Sequence, residues 1–259
     1  MTASLLGALL HRGDAVMISG EPMPMLVEVA YAIGAALVAL AAGQTFLFST
    51  PPQGAKVLLI DGEPRPAVRI SNHQAALRRV WPAARRAKAQ QNLTAVASEQ
   101  SVVLNRLSPG TTGIYPLTSG KMRANAARLV RSVNPALVIF SSIASLISVD
   151  DIRADSVARI SPLANQIALE GIAQIWINGG AQRVDVLDRD AKTLGATVRI
   201  HLIEGFGGAA IVRPEYRGTD PERARSAELL PALVKPVTDR WRIAPIEQEE
   251  TAHAEKETA

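Results

Sequence analysis

The stretch from Ala15 to Gly43 constrains this chain most. It reads AVMIS, then GEPMPM, then LVEVAYAIGAALVALAAG, which predicts a short apolar strand, a turn bearing glycine and proline, and a long apolar helix. Strand, turn and helix in that order form the setting in which a glycine-rich loop cradles a phosphate at a helix N-terminus. Here the turn carries no lysine and no second glycine. A competing reading is a membrane span, because Met23 to Ala42 is about 20 residues long and largely apolar. Glu28 lies inside that segment, where a carboxylate is expensive in lipid. Much of the rest is alanine and glycine, which transfer weakly, and strand signals lie on both sides. A buried crossover helix accounts for all of this, and no membrane association is expected.

The chain continues with the same alternation. Lys56 to Ile60 is a continuous apolar run of the kind that marks a buried parallel strand. It ends in Asp61-Gly62-Glu63, two carboxylates at the strand's carboxyl end, the edge where open α/β sheets bind ligands. A helical pattern follows from Ala67 to Ala89, broken at Pro82. Further strands are predicted at Leu93 to Ala97, Ala136 to Phe140 (ALVIF) and Gln174 to Ile177, and helices over 122–133 and from Asp150-Asp151 to about Glu170. Thr197 to Ile203 and Ala209 to Val212 alternate in polarity and read as antiparallel edge strands. Pro221 to Val234 reads as a helix, and Trp241 lies in a strand fragment. The N-terminal MTASLLGALLHRGD reads as a short helix without the basic region of a signal peptide. The whole predicts an α/β fold with a mainly parallel central sheet flanked by helices and antiparallel edge strands near the C-terminus. Residues 1–244 form one domain, and 245–259 form a disordered acidic tail.

Composition narrows the chemistry. The chain has 259 residues, enough for a substantial core, with 47% hydrophobic and only 4% aromatic residues. The absence of cysteine excludes disulfides and thiolate chemistry and suits a cytoplasmic protein. Four histidines (His11, His73, His201 and His253) lie far apart, so no metal site is expected. Neither G-x-S-x-G nor a histidine at a suitable strand end supports a hydrolase triad. The net charge of +4 is uneven. Arg78, Arg79, Arg85, Arg86 and Lys88 cluster in RRVWPAARRAK. They are candidate nucleic-acid contacts or, more simply, a solvated helix face, because only Trp81 interleaves them.

With the elements in order, the chain resembles RecA-fold ATPases of the plasmid replicative-helicase type, the hexameric AAA-family proteins related to RepA helicases. The resemblance runs from about Leu5 to Glu204. It rests most specifically on GQTFLFSTPPQGAKVLLIDGEPRP, which looks like the run from the phosphate-loop helix into the strand bearing a catalytic glutamate. ALVIFSSIASLI looks like a Walker B strand, GIAQIWINGGAQR like the sensor strand, and RVDVLDRDAKTLGATVRIHLIEG like the segment after it. The resemblance implies a RecA-like P-loop NTPase fold that assembles with itself or with a RecA-like partner.

The catalytic letters mostly differ. In a phosphate loop the glycines admit backbone N–H groups to the phosphates, a lysine neutralises charge, and Ser/Thr holds magnesium. Counted from Gly20, the second glycine falls on Met25, the lysine on Leu26 and the hydroxyl on Val27. Counted back from Gly43, the last two fall on Val29 and Ala30. Pro22 and Pro24 remove two N–H donors from the same turn. Ser141 stands at the Walker B aspartate, and Asn178 and Gly179 at the family's sensor histidines. Glu63 alone matches, at the glutamate that would polarise water, although a turn carboxylate before Pro64 reads as well. Thr118-Ser119-Gly120-Lys121 looks like a displaced phosphate loop, but six residues separate Gly113 from Gly120. A Ser/Thr cap on the next helix is the simpler expectation.

Three readings follow. The first is a degenerate pseudo-ATPase acting as an assembly or regulatory subunit, with no cofactor expected. The second is a working ATPase of the replicative-helicase or DNA-repair class, which would take ATP and magnesium in a non-standard loop and use Glu63 as base. The third is an accessory protein that holds DNA through Arg78 to Lys88.

Overall fold

The computed structural model describes residues 4–6, 10–20, 55–61, 91–97, 114–141, 143–147, 155–178, 184–204, 210–228, 232–237 and 240–245. The N-terminal segment expected as a helix is instead an antiparallel ribbon of β1 (Ser4–Leu6) and β2 (Leu10–His11). Leu5 and Leu10 are both buried. Gly13, at φ 82°, shapes the turn that follows, a left-handed conformation costly for other residues. Asp14 Oδ2 accepts the His11 backbone N–H at 2.8 Å, and the chain then enters β3 (Ala15–Gly20).

The apolar runs form strands as expected: β4 (Val57–Asp61), β5 (Leu93–Ala97), β6 (Leu137–Ser141) and β7 (Ala173–Asn178). With β8 (Ala196–Glu204) they make the parallel part of a nine-stranded sheet, in the order β8-β3-β7-β6-β4-β5. All six residues of β7 are buried, as a strand covered on both faces requires. α1 (Gly120–Val133), the short α2 (Ile143–Leu146), α3 (Ser156–Leu169) and α4 (Val184–Thr193) occur between these strands. One core joins Met17, Leu58, Phe140 and Trp176 of the sheet to Val130 of α1, Ile160 and Leu163 of α3, and Ala191 of α4.

One bond repairs α3 at its proline, and another ties the helix to this face. Pro162 has no N–H for the Ala158 carbonyl one turn back, and the Ser161 hydroxyl donates to that carbonyl at 2.9 Å. Buried Gln174 donates through Nε2 to the Ala164 carbonyl at 2.8 Å, and its Oε1 accepts the Trp176 indole N–H at 3.2 Å. Trp176 stacks on Phe140 with ring centroids 3.8 Å apart.

Several expectations are corrected. β8 is no edge strand: it pairs in parallel with β3 and antiparallel with β9 (Ala210–Tyr216), which itself has partners on both sides. Its polar alternation comes from Arg199 and His201, of which Arg199 is buried and His201 half-buried. The helix expected from Pro221 to Val234 is α5, which ends at Glu228. Ala232 to Val234 of that expected helix lie instead in β10 (Ala232–Val237), paired with β9 and with β11 (Arg240–Pro245). Antiparallel pairing on both sides overrides helical propensity there. Asp220 caps α5, its Oδ1 accepting the backbone N–H groups of Glu222 at 2.9 Å and Arg223 at 3.2 Å. Arg223 reaches back to Asp14 at 2.6 Å and lies over the Tyr216 ring. Ser119 sits at the N-cap position of α1 without a side-chain capping bond. The Arg123 guanidinium holds that turn instead, donating to the carbonyls of Thr118 at 2.6 Å and Leu117 at 3.2 Å.

Candidate site at the carboxyl edge of the sheet

Parallel strands end together, so the sheet gathers residues that are far apart in sequence. The chain leaves β3 for β4, three positions along the sheet, and leaves β7 for β8 on the far side of β3. This reversal of winding marks the carboxyl edge around β3 as the place where such sheets hold ligands.

Gly20 ends β3 there, beside Leu202 of β8. Asn178 ends β7 and is buried, level with Ser19. Ser141 ends β6, opposite Asp61 of β4 on one side and Ile177 of β7 on the other. Gly20, Ser141, Asn178 and the Asp61 that precedes the Asp-Gly-Glu turn are thus brought to one edge. Met25, Leu26 and Val27 lie outside the described residues, as do Val29, Ala30, Gly179, Glu63 and the basic run Arg78, Arg79, Arg85, Arg86 and Lys88. The rest of the Met23 to Ala42 segment and residues 246–259 lie outside them too. Among the described residues no helix is long and apolar enough to cross a membrane, and no group of His, Asp or Glu has the arrangement to hold a metal ion.

A polar row that sequence reasoning missed adjoins this edge. The β3–β8 register shifts between Ala15 and Val16, and Thr197 Oγ1 donates to the Ala15 carbonyl at 3.4 Å there. Beyond that point Met17 pairs with Arg199 and Ser19 with His201. Register partners in a parallel sheet point to the same face, and Met17 belongs to the core under α3 and α4. Arg199, 2% exposed, meets Asp188 of α4 through Nη1 and His201 Nε2 through Nη2. Arg217, just past β9, also donates to Asp188, at 2.9 Å, and to Glu215 at 3.1 Å. Burial, and then the Arg199 charge, hold the His201 imidazole below its ordinary pKa. On the same helix, burial raises the Asp190 carboxyl above its ordinary value, opposed by Arg189. Arginine in an otherwise apolar strand was the available signal. Its partners Asp188 and His201 become neighbours only through the fold.

The strand order, the crossovers and the layered core define a RecA-like P-loop NTPase fold. The chain superposes on a KaiC-like protein from the hyperthermophilic archaeon Pyrococcus horikoshii OT3 with a TM-score of 0.55 and 14% sequence identity, over 95% of this chain and 98% of that one. The flagellar accessory protein FlaH of Methanocaldococcus jannaschii is also similar, with a TM-score of 0.49 and 14% identity over 90% of each chain. No protein-family profile and no curated protein matches the sequence.

Proposed function

We propose that this protein is a RecA-fold subunit of the RepA-helicase type that acts by assembly or regulation, without phosphoryl transfer. Residues 1–244 form its working unit, in a homo-oligomer or beside a RecA-like partner in DNA metabolism. One observation carries the reading: the strands that should present catalytic groups end together at one edge, yet the side chains there have the wrong chemistry. Ser141 and Asn178 occupy two of those strand ends. A serine hydroxyl is a poor substitute for a carboxylate that orders a magnesium-bound water. The loop after Gly20 adds Met25, Leu26 and Val27, with neither cation nor hydroxyl. Phosphoryl transfer is catalysed mainly by positioning and by neutralising charge. Glu63, kept as a base without a clamp or a metal, supplies neither.

Calorimetry with ATP and magnesium tests this on the full chain. The expected result is no saturable heat and no phosphate release. Micromolar binding with turnover, lost in Glu63→Gln, would replace this reading with the active-ATPase one.

A further inference from the structure

Among the described residues, two buried side-chain polar atoms have no hydrogen-bond partner: Ser19 Oγ and Arg199 Nε. Natively folded chains leave few such groups, and each costs about 1–3 kcal/mol unless something outside the chain satisfies it. These two are not scattered. Ser19 pairs with His201 and Met17 with Arg199, so both orphaned atoms belong to adjacent strands, on one face, one step apart in register.

The third member of the group is His201. The guanidinium of Arg199 only donates, so His201 Nε2 accepts from it and the ring proton lies on Nδ1. Three donors therefore share this part of the sheet: the Arg199 Nε–H, the Ser19 hydroxyl and the His201 Nδ1–H. Arg199 and the ring N–H cannot accept, which selects a ligand that is an acceptor. Charge points the same way. Asp188 is shared by Arg199 and Arg217, Glu215 meets Arg217, and Arg213 stands opposite His201 across β8 and β9. Arg199 and Arg217 thus balance the two carboxylates around the imidazole, and Arg213 adds an exposed guanidinium on the neighbouring strand.

We propose that Ser19, Arg199 and His201 form a binding site for a small oxyanion, a phosphate or a carboxylate, on the face of the sheet that carries α3 and α4. The ligand accepts from all three donors and completes the hydrogen bonding of the buried arginine. None of the three belongs to the loop at 20–27, which Ser19 directly precedes. The site is independent of the assembly reading.

Thermal shift and calorimetry on the full chain, with inorganic phosphate and with acetate at constant ionic strength, test the site. Saturable stabilisation by at least one of them is expected, and the stronger arm identifies the oxyanion. Ser19→Ala should leave the anion-free melting temperature unchanged or raised, because the hydroxyl has no partner to lose. It should also weaken the anion about tenfold, the worth of one hydrogen bond to a charged group. Arg199→Lys keeps the charge without the Nε donor and should weaken binding as well. Absence of saturable stabilisation by either anion overturns the site. So does undiminished binding in Ser19→Ala, which would locate the anion at the phosphate-loop turn.

Discussion

Among the described residues, two polar groups buried under the helices differ in completeness. At β7, Gln174 spends its amide on the Ala164 carbonyl and on the Trp176 indole, and the stacked pair of Trp176 and Phe140 closes over it. At β8, Arg199 finds Asp188 and His201 but keeps Nε unpaired, beside an unpaired Ser19. A network in which each polar atom has a partner fixes α3 on β7. An unsatisfied one retains donors for a ligand and makes the strand sensitive to charge. The same face of one sheet thus carries a structural seam and a candidate binding site.

Trp176→Ala breaks the complete side. It removes the largest buried ring and its stacking partner's contact, and should cost about 3–5 kcal/mol in denaturant unfolding. Asp188→Ala breaks the incomplete side by leaving Arg199 buried with no carboxylate. A loss of about 3 kcal/mol is expected in the same measurement, less than for Trp176 because Asp188 itself is substantially exposed.

Smaller effects come from pH. The folded chain holds His201 below its ordinary pKa, so the unfolded chain takes up that proton first. The stability contributed by neutral His201 is therefore present above roughly pH 6.5 and lost as pH falls towards the lowered folded value. In His201→Gln the melting temperature should vary less over that acid interval than in the wild type. Asp190 has the opposite sign. Its raised pKa gives stability below the ordinary carboxylate value that is lost as pH rises through the folded value. Asp190→Asn should raise the melting temperature slightly at pH 7 and less at pH 4.

The sequence made the complete side legible and the incomplete side obscure, for physical reasons. β4, β6 and β7 are short apolar runs, so burial on both faces shows in the residues themselves. β8 looks like an edge strand, because an arginine buried on an ion pair alternates with apolar neighbours just as a solvated one does. Ala232 to Val234 reads as helical because nothing local marks the pairing of this segment with β9 and β11. The strand-end positions of Ser141 and Asn178 were legible, because each closes an apolar run. The Ser19–Arg199–His201 group was not, since its members meet across a register spanning most of the chain.

On the proposed reading, this chain assembles without using a nucleotide. Sedimentation velocity of the full chain, with and without ATP and magnesium, tests it most directly. An oligomer of the same size is expected in both conditions. A monomer that assembles only when ATP and magnesium are added would contradict it.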